Sequence, residues 1–144
     1  MTQDVIVYLT GMQFEMGAGG DSEPIETVSA GKYYEKDGKH YVFYDEPVEG
    51  ERTVIKNRLT FYDRTLEVSK KGPINVHMVF EENKQNLTEY TTPFGRMMIG
   101  INTGKMTIDL SKEEEYLLTA DYTLDANYEF LAECKIKIRI CTAK

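Results

Sequence analysis

The sequence predicts an all-β chain folded as one closed or nearly closed antiparallel up-and-down barrel of about 8–10 strands. Three observations lead there. The run CKIKIRIC alternates with period two, so Cys134, Ile136, Ile138 and Ile140 face one way and Lys135, Lys137 and Arg139 the other. Similar β-rich runs fill most of the chain and are separated by short segments of turn chemistry. No long run carries a helical period, and closing the meander removes edges that would otherwise invite aggregation.

The elements follow in order. DVIVYLTGMQF opens the barrel, and the glycine-rich MGAGGDSEP, Met16 to Pro24, reads as a mobile loop because ordering its glycines is entropically expensive. ETVSAGKYYEK and KHYVFYDEP flank Asp37-Gly38, which suits the positive φ values of a type I′ turn and sets Tyr34 opposite Tyr41. RTVIKNRLTFYD and TLEVSKKG meet at Tyr62-Asp63-Arg64, and Gly72-Pro73 precedes NVHMVFEE. Glu82-Asn83-Lys84 leads into NLTEYTT, which turns at Pro93-Phe94-Gly95 because Pro93 offers no ladder donor and Gly95 permits an unusual backbone angle. GRMMIGINT follows, with Gly100 marking a bend or the close approach of a neighbour, and Thr103-Gly104 reads as a break before KMTIDLS. In SKEEEY, Ser111 and Glu114 have capping-box spacing, room for one helical turn at most before YLLTADYTL.

At 144 residues with 41% hydrophobic content, residues 1–144 form a single domain able to bury a continuous core. A formal net charge of -7 opposes attraction to nucleic-acid phosphates or anionic lipid. VIVYL is too short for a signal-peptide core or a membrane span, so a cytoplasmic location is expected. A strand would hold Cys134 and Cys141 ~23 Å apart, beyond the ~7 Å of bridged Cα atoms, and a disulfide between them is not expected.

The chemistry-bearing residues are sparse. GAGG lacks the Lys-Ser/Thr ending of a phosphate loop, and His40 and His77 are the only histidines, without paired cysteine spacing for zinc. No G-x-S-x-G elbow occurs, Asp45-Glu46 and Glu113-Glu114-Glu115 read as solvated carboxylates, and Asn86-Leu87-Thr88 is an incidental sequon. No catalytic residue, metal ligand or cofactor is assigned. Tyrosines in strands have two readings: they fill the barrel, or they line a cavity with hydroxyls that need partners. Inward arginines would require an acceptor. Arg58 shares a face with Lys56, Thr60 and Tyr62, which reads as the solvent side. Arg96 shares one with Met98, Gly100 and Asn102, and its direction stays open. The candidate lining or mouth residues are Tyr34, Tyr44, Arg58, Tyr90, Phe94, Arg96 and Tyr122.

GKYYEKDGKHYVFYDEP, ERTVIKNRLTFYDRTLEVSKKG, MVFEENKQNLTEYTTPFGRMMIGINTGKMTIDL and ADYTL together resemble the DUF1934 or YwiB-like family of small bacterial proteins, over roughly Thr10 to Ile140. The resemblance is strongest at GKYY, YDE and YTTPFG. It implies a calycin-like, lipocalin-like barrel and no particular activity. The chain has Asp45-Glu46 where the family often has Glu-Glu, and Lys70-Lys71-Gly72 where it often has Arg-x-Gly. Lysine lacks arginine's planar fork, which weakens any bidentate anion site there.

The leading expectation is a cytosolic barrel that binds a small, partly apolar or anionic molecule in its interior. The alternative is a non-enzymatic interaction module, such as a homodimer, with a filled core. An enzyme would need Asp45 or Glu46 to converge with Arg96 and a tyrosine in one cleft.

Overall fold

Apolar residues at alternate positions give most strands one dry face, and burying those faces against one another requires the sheet to curl; the strands Glu26–Lys36 and Lys84–Thr92 turn mainly small or polar residues inward. The computed structural model describes residues 3–11, 26–47, 50, 52–72, 75–92 and 95–143. They form β1 (Gln3–Thr10), β2 (Glu26–Lys36), β3 (Lys39–Pro47), β4 (Val54–Tyr62), β5 (Thr65–Lys71), β6 (Val76–Glu81), β7 (Lys84–Thr92), β8 (Gly95–Asp109), β9 (Glu115–Ala126) and β10 (Glu129–Thr142). All pair antiparallel in one sheet ordered β6-β5-β4-β3-β2-β1-β10-β9-β8-β7, a meander whose first and last strands also pair. No helix among the described residues is long and apolar enough to cross a membrane.

The sheet is a nearly closed barrel. Its two edges, β6 and β7, are consecutive strands that meet without a continuous ladder; Thr88 Oγ1 donates across this seam to the His77 carbonyl. The turn between them is held by β8: Asn83 N donates to Gly104 O at 3.3 Å and Met106 N donates to Glu82 Oε2 at 3.1 Å.

Those bonds explain one departure from the sequence reading. Thr103-Gly104 is no break: β8 runs through it, with the register shifting between Thr103 and Met106. A bulge leaves backbone groups unpaired, and here the β6–β7 turn uses them. SKEEEY forms bends with no helical turn, since β8 and β9 are already paired on either side. The glycine-rich stretch from Met16 to Pro24 and the Pro93-Phe94 corner lie outside the described residues. Asp37 (φ 53°) and Gly38 (φ 78°) both take positive φ, and Tyr34 pairs with Tyr41. Another tight hairpin unmarked by glycine places Asn127 (φ 50°) and Tyr128 (φ 71°) between β9 and β10.

Inside, cross-strand rows run around the wall. Val42, Leu59, Val68 and Met78 are successive neighbours on β3 to β6, and Leu9, Ile138 and Leu118 on β1, β10 and β9. Every one of them is buried, each stabilising the fold by about 1.5–3 kcal/mol relative to exposure. Aromatic rings span the lumen: Phe80 of β6 meets Tyr122 of β9 edge-to-face at 4.8 Å, and Phe61 of β4 meets Tyr116 of β9 at 6.3 Å. The interior is therefore a packed core with polar groups set into it, not an open tube.

Candidate functional site

Three buried side-chain atoms find no nitrogen or oxygen partner among the described residues: Asn86 Nδ2, Thr103 Oγ1 and Tyr122 Oη. Period two on β7, β8 and β9 turns all three residues to the interior. Thr103 stands directly opposite Tyr122, and Asn86 stands opposite Ile101, two residues from Thr103 along the same face of β8. Such neighbours have Cβ atoms ~4.5–5.5 Å apart when opposite and ~7–8 Å when diagonal. Thr103 and Tyr122 are each 3% exposed, so water does not reach them from outside. Cys134, opposite Tyr122 on β10, takes part in a side-chain hydrogen bond with its hydroxyl, but sulfur is a weak acceptor and replaces only a small part of what the buried hydroxyl loses. Each unsatisfied buried group costs about 1–3 kcal/mol, and an apolar residue there would avoid the cost.

Two other interior polar groups are already satisfied. At the mouth holding the β3–β4 and β5–β6 connections, Lys70 Nζ donates to Glu46 Oε1 at 3.0 Å and to Asn57 Oδ1 at 2.8 Å. Asn57 Nδ2 donates to Glu46 Oε1 (3.3 Å) and Ile55 O (3.2 Å). At the opposite mouth, Tyr33 and His40 share a 2.7 Å hydrogen bond, with His40 stacked on Phe61 at 5.0 Å and Tyr116 edge-on to both rings. A cleft of about 20 Å³ lies beside them, lined by Tyr33, Tyr116 and Glu113 to Glu115, with room for roughly one water.

Of the residues singled out in the sequence, Tyr44, Tyr90 and Tyr122 point inward and are buried. Tyr34 lies on the outer wall, stacked between Tyr41 (4.9 Å) and Phe43 (5.7 Å). Arg58 is exposed on the outer face opposite Phe43, as its polar strand face indicates. Arg96 also points out, with Nε 3.3 Å from Glu89 Oε1. Phe94 lies outside the described residues. The candidates thus divide between two faces, because strand parity separates Tyr34, Arg58 and Arg96 from the inward tyrosines. The cleft an acid-base enzyme needs does not form: Asp45 and Arg96 are exposed outside while Glu46 turns in to Lys70. Gly100 marks a close approach on the outer wall, where an added Cβ would stand 3.2 Å from Gln85 Nε2 and 3.3 Å from Asp125 Oδ2.

Asn57, Lys70, Asn86 and Thr103 are not among the sequence candidates, and Glu46 enters there only as a carboxylate of the enzyme reading. Parity offered the signal: counting by twos from Leu59 reaches Asn57, from Val68 reaches Lys70, and from Ile101 reaches Thr103. Asn86 reads in the sequence as a sequon, yet its amide is buried in the barrel.

Burial, with the Glu46 carboxylate beside Tyr44 and Cys134 beside Tyr122, holds both phenols protonated well above the ordinary value of 10.0. Above pH 10 the unfolded chain releases these protons and the folded chain keeps them, so stability is fully present below pH 10 and falls as pH rises. The expected slope is about 1.4 kcal/mol per pH unit for each phenol. Urea midpoints between pH 9 and 11 should show it, and a Tyr44→Phe/Tyr122→Phe variant should lose about 2.7 kcal/mol per unit of that slope. An unchanged slope in the variant would remove the assignment.

Residues 10–138 match the family model described as "Domain of unknown function (DUF1934)". No curated protein matches the chain. Among solved structures it is similar to the crystal structure of the ywiB protein from Bacillus subtilis, at 18% identity and a TM-score of 0.78, covering 99% of this chain and 94% of that one. That likeness concerns the fold: the same nearly closed antiparallel barrel over almost the whole of both chains. With the family model spanning most of its strands, the chain belongs to the DUF1934 family.

Proposed function

We propose that this protein binds a small molecule inside its barrel, against the wall formed by β7, β8 and β9. One observation carries the reading: three neighbouring inward polar atoms, Asn86 Nδ2, Thr103 Oγ1 and Tyr122 Oη, are buried without a nitrogen or oxygen partner among the described residues. Among the described residues the interior polar groups Lys70, Glu46 and Asn57 are paired with one another, in contrast to this wall. A guest that accepts their hydrogen bonds recovers the cost of leaving them unsatisfied. The packed core restricts the guest to a few heavy atoms or requires Phe80, the ring covering Tyr122, to swing aside. The seam between β6 and β7 borders both Phe80 and Asn86 and supplies the least constrained route in. Two free thiols, Cys134 and Cys141, suit a reducing compartment, and the proposal places the protein in the cytoplasm.

Native mass spectrometry of protein purified from its own host tests the proposal. A retained species of constant mass, lost in Tyr122→Phe, is the expected result. A bare chain, together with crystallographic density for one ordered water bridging the three atoms, overturns it.

A further inference from the structure

Building on that reading, we infer that the guest of the β7–β9 wall is an uncharged molecule with an apolar body and a single oxygen acceptor, a small alcohol or ketone, and not an anion. The polar atoms decide the head. Asn86 Nδ2 is a donor only, and the hydroxyls of Thr103 and Tyr122 can each donate, so the two lone pairs of one guest oxygen can take two of these three donors. A guest offering only donors would leave Asn86 unpaired.

The surroundings decide the charge. Phe80, Ile101, Leu124 and Ile136, all buried, line the same part of the core. Lys84 stands opposite Thr103, but its side chain is 67% exposed and its ammonium turns to Glu81 at 3.4 Å. The buried ammonium of the interior, Lys70, sits on β5 and is committed to Glu46 and Asn57. A carboxylate at the wall would therefore be desolvated with no counter-ion, a cost that neutral donors do not offset. An uncharged oxygen carries no such penalty, and its hydrocarbon remainder meets apolar side chains.

A matched panel tests this on the intact chain: cyclopentanone, cyclopentanol, cyclopentane and cyclopentanecarboxylate at pH 8, titrated while recording amide and methyl chemical shifts. The ketone and alcohol should shift Ile101, Thr103 and Tyr122 signals and bind roughly tenfold or more tighter than cyclopentane, the worth of one or two net hydrogen bonds. The carboxylate should leave those signals unmoved. Thr103→Val and Tyr122→Phe, near-isosteric changes, should bring the ketone down to the affinity of cyclopentane. Equal binding of cyclopentane and ketone in the wild-type chain, or preferred binding of the carboxylate, overturns the inferred chemistry and leaves interior binding standing. No shift at the wall with any of the four overturns interior binding itself.

Discussion

Phe80→Ala is expected to cost about 3–5 kcal/mol of stability, the usual range for removing a buried ring. Phe80 has no exposed surface and packs edge-to-face on Tyr122 at 4.8 Å, joining an edge strand to β9 on the other side of the seam. Adjacent strands can follow one another through the ladder, but β6 lacks a continuous ladder with β7, so side-chain packing must close the barrel there. Truncation loses the transfer free energy of the ring and leaves a void that backbone relaxation fills only in part. Thermal midpoints should fall by on the order of 10 °C for a chain of this size. The void would open beside Tyr122, so phenol, with an apolar ring and one hydroxyl, should raise the variant's midpoint far more than the wild type's. A loss under about 1 kcal/mol would mean that the ring does not close the seam.

Glu46→Gln and Lys70→Met should differ in size although they break the same pair. Lys70 is largely buried, with 12% of its side chain exposed, while Glu46 is 37% exposed at the mouth. Removing the Glu46 charge leaves a desolvated ammonium held only by neutral groups. The expected loss is about 2 kcal/mol, below that of a fully buried pair because water screens the mouth. Lys70→Met keeps the apolar stem and frees a carboxylate that can turn to solvent, and what it costs is the donor to the buried Asn57 Oδ1, about 1 kcal/mol, the low end for an unsatisfied buried group. Chemical denaturation of the two single variants and the double variant measures this. If Lys70→Met loses more than Glu46→Gln, the burden of desolvation lies on the carboxylate instead.

How much of this was legible differs from residue to residue. Parity alone turned Ile136, Ile138 and Ile140 inward and indicated the solvent side for Arg58, and the structure agrees on each. It was silent about Arg96, whose neighbours Met98, Gly100 and Asn102 mix character; a network of Asn102, Asp125 and Thr123 shares that outer face, with Asn102 Nδ2 2.9 Å from Asp125 Oδ2. Tyr34 was misleading as a cavity residue because a tyrosine serves equally well in a core or in an exposed ladder, and it stacks in the latter with Tyr41 and Phe43. Thr103 looked like part of a turn because Thr-Gly is turn chemistry, and only pairing of β8 with β7 and β9 on both sides carries the strand through it.

The sequence by itself determined an all-β chain, the order of its strands, most of its turns and which residues of each strand share a face. These depend on neighbours in the chain, through dihedral preference and period two. Only the tertiary structure decided that β6 and β7 form the seam, that Phe80 reaches Tyr122, and that Lys70 Nζ has partners while Asn86 Nδ2, Thr103 Oγ1 and Tyr122 Oη find no nitrogen or oxygen partner among the described residues. Whether a buried polar atom is satisfied depends on groups brought together across the barrel from distant parts of the chain.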